Sequence, residues 1–418
     1  MLGMRSTRGT ALLLVMLSMG CGAPTALPDP DSGSLPDAGL EPMTDSGMEP
    51  VDGGPSYPID HPCDEPCTIA WRELAPFDVP LDHHSTFVLE RDDGAYLYVL
   101  GGIQPSATSV AAYNARISAA RILEDGTLGP WAHEDFRFGI GFHAQAQYVN
   151  LDGHDSMLWI GGILHDSTDT DLSPSANPYA FGASFPPGIG PGIEGMHVGD
   201  AGSVAAFAGR LSAAVLHGTA AVRERPDGSG RDVFLIGGSR DSTVRDALRY
   251  DTSTDTWVSD TELPMPRSHH VLVQHDGRLY LIGGFSGTVA LPVAEPSIVR
   301  SIHAEDGHIT GWEEVGTMED PPWTAGGFVH EGHVYIVGGG ASGGHHGGGE
   351  FLARVRRAPL GDDGRVGAFE DLSPIPMARA HVHQAPLYRG RIYSVGGRVM
   401  DALGAVQSSP RVFVGTLE

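Results

Sequence analysis

Six Gly-Gly pairs, each of which closes a short apolar run, constrain the fold of this chain more than any other feature. Aliphatic and aromatic residues make up the runs, which end at Gly101-Gly102, Gly161-Gly162, Gly237-Gly238, Gly283-Gly284, Gly338-Gly339 and Gly396-Gly397. Such a run is typical of a buried strand, and adjacent glycines end a strand where the backbone needs a positive φ or where a neighbour comes too close for a Cβ. Successive pairs are separated by 46 to 76 residues, so each interval has room for one supersecondary unit, and the chain is predicted to be an internal repeat.

One repeat is regular enough to predict its strands. Apolar residues on both sides of an Asp276-Gly277 turn predict a hairpin that ends at the glycine pair Gly283-Gly284. In the preceding repeat, Tyr250-Asp251 and Trp257 predict a third strand, a turn and a fourth strand that begins with an aromatic residue. An aromatic residue opens the outer strand in the same way at Trp131, Trp312 and Phe369. These large side chains are predicted to fill the space between repeats.

From about residue 67 to the end, this pattern resembles the kelch repeat. The resemblance implies four-stranded antiparallel sheets, called blades, which are arranged radially about a channel with the first strand innermost. After Gly397 the chain has room for only one more strand, whereas Trp71-Arg-Glu-Leu74 near the start matches the outer strands of the other repeats. We therefore predict an all-β, six-bladed kelch β-propeller over residues 63–418, with a ring closed by an N-terminal outer strand that completes the last blade. Closure removes open sheet edges.

The amino terminus predicts export. Arg5 and Arg8 precede an apolar run at residues 11–17 that is too short to span a bilayer permanently, so residues 1–20 are predicted to be a signal peptide. Small residues before Cys21 resemble the lipobox of bacterial lipoproteins, with Leu17 one position further from the cysteine than usual. This resemblance implies a lipid on Cys21.

A lipoprotein without aspartate after the cysteine is expected at the outer membrane or the cell surface, and the periplasmic side of the membrane is the alternative.

The segment between Cys21 and the propeller is predicted to be a linker. Residues 21–62 are acidic and almost free of aromatic residues, which predicts a disordered linker. Cys63 and Cys67 follow it, and in an exported protein this spacing predicts a local disulfide.

Charge limits the partners. The formal net charge is −26 and the chain has no lysine, which argues against nucleic acid and against anionic membrane surfaces. Contact with a membrane is expected only through the lipid on Cys21, and the protein is expected to be a monomer. No cofactor and no metal site is assigned.

Histidines and arginines near the starts of the predicted first strands are the candidate ligand-binding residues. Aligning these strands on their turns gives His84, His143, His217, His270 and His383, joined by Arg267 and Arg379. They form the candidate channel-mouth site, which would suit a metal or an anionic ligand. The competing interpretation is structural, because the kelch pattern itself commonly has such residues here, where they hydrogen-bond to neighbouring strands.

Two irregular segments are further candidates. The predicted second blade contains a Pro-, Gly- and Asp-rich stretch between Gly162 and Arg210, whose carboxylates would either bind calcium or line a solvated loop. A glycine-rich loop carries His345 and His346, which would either bind metal or capture it only adventitiously.

The resemblance implies a module that binds a protein or a glycan at the cell envelope, more than it implies an enzyme. A copper enzyme similar to galactose oxidase is largely excluded, because it needs a cysteine within the propeller and none follows Cys67. The alternative is an envelope carbohydrate enzyme of the sialic-acid mutarotase type, which would need an arginine and a carboxylate at the channel. No catalytic residue is identified.

Overall fold

The computed structural model describes residues 67–418, apart from 92, 105–111, 115, 136–137, 142–143, 152–153, 161–162, 167–174, 177–179, 186–214, 226–230, 241, 252–255, 289–290 and 342–349. Every regular element in these residues is a β-strand, so the predicted all-β class is confirmed. None of the described residues belongs to an apolar helix of the length needed to cross a bilayer.

Antiparallel sheets of four strands are the main unit of the fold. Blade 1 consists of Ser85–Arg91, Gly94–Leu100, Arg116–Ile122 and Leu128–Asp135. Blade 3 consists of Thr219–Glu224, Arg231–Ile236, Ala247–Asp251 and Thr256–Ser259. Blade 4 consists of Val271–His275, Arg278–Ile282, Ser297–His303 and Ile309–Thr317. Blade 5 consists of Gly326–His330, His333–Val337, Val355–Pro359 and Glu370–Leu372.

Blade 6 joins the two ends of the described chain. Its first three strands are Leu387–Tyr388, Arg391–Val395 and Val412–Leu417, and Ile69–Glu73 is its outer strand. This outer strand pairs antiparallel with the last one, from Ile69 opposite Leu417 to Glu73 opposite Phe413. The predicted closure of the ring by an N-terminal strand is therefore confirmed.

The predicted count of six blades is only partly reproduced. Within the described residues there are five four-stranded blades, and at the position of blade 2 there is a three-stranded sheet of Ala144–Leu151, His154–Ile160 and Ala180–Phe185. Residues 186–214, which follow the last of these strands, fall outside the described residues. Blade 2 is thus the exception, as its irregular sequence predicted.

The hydrophobic core lies between neighbouring blades. Five clusters of buried side chains each join strands of two adjacent blades, as where Tyr335 of blade 5 meets Phe413 of blade 6. The aromatic residues that open the outer strands all pack against these clusters, which confirms their predicted role: Trp71, Trp131, Trp257, Trp312 and Phe369. Each blade therefore buries apolar area against the next.

The glycine pairs tie each blade to the following one. Both glycines of the described pairs have positive φ, as at Gly283 (65°) and Gly284 (78°). In four of the five described pairs the second glycine donates its N–H to a carbonyl that precedes the first strand of the next blade, as from Gly284 to Pro322 at 2.8 Å. A Cβ on Gly283 would lie 2.3 Å from that same Pro322 oxygen. At Gly283 both predicted reasons for glycine therefore apply: the backbone has a positive φ, and a neighbouring carbonyl leaves no room for a Cβ.

Small sheets rise from one face of the propeller, directly after the glycine pairs. Two of them are important below: the first hairpin, Phe285–Thr288 with Leu291–Ala294 in blade 4, and the second hairpin, Arg398–Met400 with Val406–Ser408 in blade 6. The hairpins begin beside the starts of the first strands, because Phe285 bridges to Ser268 and Arg398 bridges to Ala380. We call this side of the ring the hairpin face.

Candidate functional site: the central histidine cluster

A ring of residues in left-handed backbone conformation surrounds the axis at the hairpin face. In five blades a residue that precedes the first strand has φ between 52° and 57°: His83, His217, His269 and Thr324 lie two positions before it, and His381 lies six positions before it. Backbone hydrogen bonds connect neighbours: His83 donates to the His381 carbonyl at 3.1 Å, and Thr324 donates to the His269 carbonyl at 2.9 Å. Non-glycine residues are uncommon in this region of φ, so the closed ring holds these positions in place.

The histidine side chains of this ring meet at the axis. The ring centroids of His83 and His381 are 4.0 Å apart, and those of His217 and His269 are 3.9 Å apart. His383 joins them, with its centroid 5.7 Å from that of His83 and 6.0 Å from that of His381. We call His83, His217, His269, His381 and His383 the central histidine cluster. Because its members come from four blades, only the closed ring can assemble it.

One carboxylate supports the cluster from outside. Asp82 is 2% exposed, and its Oδ1 is hydrogen-bonded to Nδ1 of His83. Two groups of the second hairpin hold the other carboxylate oxygen: the Ser408 hydroxyl donates to it at 2.5 Å and the Arg398 Nε at 3.3 Å. An aspartate held in this way fixes the orientation of the His83 ring.

Of the predicted histidines, His217 and His383 lie in the cluster, whereas His84 and His270 do not. The Cε1 atoms of His84 and His270 approach the first glycine of the preceding blade's pair, Gly396 and Gly237 respectively. His270 also shares a hydrogen bond of 2.6 Å between its Nε2 and the Thr219 hydroxyl. These two residues therefore pack between blades. His143, the fifth member of the predicted set, lies outside the described residues.

The predicted arginines also lie within blades. Arg267 is 1% exposed and donates to the Ser297 carbonyl at 2.9 Å. Arg379 is fully buried, donates to the Gly396 carbonyl at 2.8 Å and stacks over the Phe413 ring. Burial lowers the pKa of Arg267 to about 10 and that of Arg379 to about 9, both still well above neutral. Both cations thus hydrogen-bond to strand carbonyls rather than face the channel.

Burial also fixes the charge of the histidines. It lowers the pKa of His84 and of His383 to about 4, and it lowers the pKa of His270 well below its usual range. These three imidazoles are therefore neutral at neutral pH. A neutral imidazole can accept a hydrogen bond or donate a lone pair to a metal.

Beyond the cluster, the inner strands of five blades enclose a central cavity of about 250 Å³. Its described lining is mostly apolar, with the amides of Gln274 and Gln384 and the hydroxyl of Thr86, and none of the described lining residues is charged. The apolar lining residues include Phe87, Val222, Leu272 and Phe328. The channel is thus uncharged along this part.

Three of the cluster's residues were missed by sequence reasoning: His83, His269 and His381. In the doublets His83-His84 and His269-His270 it is the first histidine that reaches the axis. The spacing Arg-x-His, which Arg267–His269 and Arg379–His381 share, was the available signal. His345 and His346 lie outside the described residues, so metal binding by their glycine-rich loop stays a prediction. Cys63 also lies outside the described residues, and the Cys63–Cys67 disulfide stays a prediction.

Comparisons with known proteins bear on the repeat and on the overall fold. No family model matches the chain. Kelch repeat and BTB domain-containing protein 12 of Danio rerio is 28% identical over 116 residues, which are 26% of this chain and 19% of that protein. Kelch-like protein 33 of Homo sapiens is 28% identical over 115 residues, 27% of this chain and 20% of that protein. The chain thus matches about a fifth of the length of these relatives.

The solved structure of YjhT has the same overall fold. It superposes with a TM-score of 0.56 at 11% sequence identity and covers 82% of this chain and 99% of its own. A repeat built on glycine pairs, blades closed into a ring and kelch relatives in sequence together define the class: the chain is a kelch-repeat β-propeller.

Proposed function

We propose that this chain is a binding module of the cell envelope that holds a protein partner on its hairpin face. The distribution of exposed apolar side chains carries this proposal. Of the eight large hydrophobic side chains that are exposed among the described residues, five lie on the two hairpins. Leu291 and Leu403 are the extremes, at 78% and 94% exposed, and the others are Val293, Met400 and Val406. Concentrated exposed apolar groups are typical of an interaction surface.

Rigid attachment of the hairpins supports the same proposal. Phe285, at the base of the first hairpin, is fully buried, stacks on His269 at 4.8 Å and meets Trp323 edge-on. The base of the second hairpin is held through Arg398 and Asp82. Loops that are already held in place lose little conformational entropy on binding. The relatives that the chain matches are kelch-repeat proteins, and we propose a protein in preference to a glycan as the partner.

The envelope location is part of the proposal and rests on the amino-terminal sequence. Residues 1–20 are taken as the signal peptide, Cys21 as the lipidated residue and residues 21–62 as the linker that separates the propeller from the outer membrane. A Cys21→Ser variant is expected to leave the membrane fraction, as seen by fractionation of the producing cells.

A photo-crosslinking residue placed at Leu403 or Leu291 tests the binding surface in the producing cells. Both positions are expected to give one covalent adduct of the same partner, identified by mass spectrometry. The control is Leu123, which is 44% exposed at a turn between third and fourth strands and therefore on the opposite face. Adducts should weaken when Val293→Ser or Met400→Ser is added. Equal labelling from Leu123, or no adduct from either hairpin, contradicts the proposal.

A carbohydrate enzyme of the sialic-acid mutarotase type remains the second candidate. Its supporting observation is the pair formed by Asp82 and Arg398, which brings a carboxylate and an arginine next to the axis. Against it, Arg267 and Arg379 lie within blades and the cavity lining is uncharged. Catalysed exchange between the anomers of N-acetylneuraminic acid, followed by NMR and abolished by Arg398→Gln, would replace the binding proposal with this one.

A further inference from the structure

We propose that His83, His381 and His383 bind one divalent transition-metal cation, with zinc(II) as the best-fitting ion. One ring nitrogen from each of the three histidines lies within 4.8 Å of the other two. Three imidazoles in this arrangement form a donor set that suits zinc, copper or nickel. The inference is independent of the proposed partner-binding surface.

The distances between the three ring nitrogens are short enough for the side chains to close on one ion. In tetrahedral zinc sites, Zn–N bonds of about 2.0–2.1 Å place the nitrogens about 3.3 Å apart. Since the three nitrogens start no more than 4.8 Å apart, side-chain rotations that bring them together by about 1.5 Å complete the site.

The backbone at all three positions is fixed in the same unusual conformation. His83, His381 and His383 each have φ of 55°. His83 is also tied to its neighbour in the ring, because its N–H donates to the His381 carbonyl at 3.1 Å. Residues held in sparsely populated backbone conformations cluster at functional sites, where the surrounding structure compensates for the strain. Three of them converge on one point here.

Asp82 supplies the outer support that a metal-bound histidine usually has. Its carboxylate is hydrogen-bonded to Nδ1 of His83, which leaves Nε2 of His83 as the atom that faces the ion. A ligand histidine commonly donates its other ring N–H to a carboxylate, which fixes the tautomer and strengthens the ligand. Ser408 and Arg398 hold the carboxylate in turn.

Three histidine ligands leave the fourth coordination position to water or an exogenous ligand. The ring of His217 borders the site, with its centroid 5.7 Å from that of His83 and 6.2 Å from that of His383. We assign His217 to the wall of the site and not to the metal. This assignment separates the site from a closed structural zinc site with four protein ligands.

Zinc titration of the purified, untagged chain tests the proposal. We expect one tightly bound zinc per chain by calorimetry and elemental analysis, and X-ray absorption should show three nitrogen ligands at about 2.0–2.1 Å. His381→Ala and His383→Gln should each remove this stoichiometric site. Asp82→Asn should keep the site but weaken it by about 10–100-fold.

Matched variants keep the result interpretable. His308→Ala, in the exposed turn before the outer strand of blade 4, and the double variant His345→Ala/His346→Ala should both retain one zinc per chain. Zinc should raise the unfolding temperature of the unaltered chain but not of His383→Gln, which also shows whether that variant is folded without metal. The proposal is overturned if the chain binds no zinc, if the His345/His346 variant loses it, or if folded His381→Ala and His383→Gln retain it.

Discussion

Single residues in this propeller act mainly at the junctions between blades. In four of the five described pairs the second glycine donates a hydrogen bond to the next blade, and His84 and His270 pack against the first glycine of the preceding blade's pair. The sequence predicted why glycine is needed, because conformational freedom is a local property. It did not show that the pairs connect blades, since the carbonyl partner lies dozens of residues away along the chain.

A glycine-to-alanine comparison separates close packing from backbone strain. A Cβ at Gly284 would lie 2.4 Å from the Ser268 carbonyl oxygen, whereas a Cβ at Gly404 would have no heavy atom within 4 Å. Both glycines have left-handed φ, at 78° and 82°. Gly404→Ala should therefore cost about 1 kcal/mol from strain alone.

Gly284→Ala should cost at least about 2 kcal/mol more, because the neighbouring backbone must move. Urea unfolding of the two variants beside the unaltered chain measures the difference. Equal losses of stability would show that the close contact of Gly284 with the Ser268 carbonyl adds nothing to the strain.

Among the elements, the closing strand was the most predictable and the hairpins the least. Trp71 marks Ile69–Glu73 as an outer strand by its likeness to the outer strands of the other repeats, and its ladder with Val412–Leu417 confirms the prediction. The hairpins carry no repeat signature, because exposed turns between strands are free to vary. Their exposed apolar residues became visible only with the fold.

Deletion of residues 67–75 is expected to destabilise the propeller strongly. It removes the whole ladder between Ile69–Glu73 and Val412–Leu417, together with the buried side chains of Ile69 and Leu74. Burial of two aliphatic side chains alone contributes about 3–6 kcal/mol. Thermal unfolding should therefore shift well below that of the full chain.

The matched control shortens the tip of the second hairpin, with residues 401–405 replaced by two glycines. Leu403 at this tip is 94% exposed, so the change should leave the unfolding temperature nearly unaltered. If the 67–75 deletion melts like this control, the ring does not depend on its closing strand.

At the scale of the whole molecule, buried histidines make stability depend on pH. Burial lowers the pKa of His303 to about 4 and that of His270 well below the usual value of 6.5. The unfolded chain therefore takes up protons near pH 6.5, while the folded chain does not. Stability is fully present above this pH and is lost as the pH falls toward 4.

For His303 the loss at pH 5 is about 2 kcal/mol. A His303→Gln variant should lose less stability than the unaltered chain between pH 7.5 and pH 5, as measured by urea unfolding at both values. His308→Gln is the control, because the His308 side chain is 41% exposed. An unchanged pH dependence in His303→Gln would show that this histidine titrates normally in the folded state.

The sequence by itself determined the repeat, the strands, the aromatic residues between blades and the closure of the ring, because each follows from patterns within a few residues. Only the tertiary structure decided which side chains meet at the axis of the propeller. A shift of one residue moves a side chain from the axis to the junction between blades, so His83 and His269 form the cluster while His84 and His270 do not. The central histidine cluster exists only because four blades, far apart in sequence, place residues that precede their first strands around one axis.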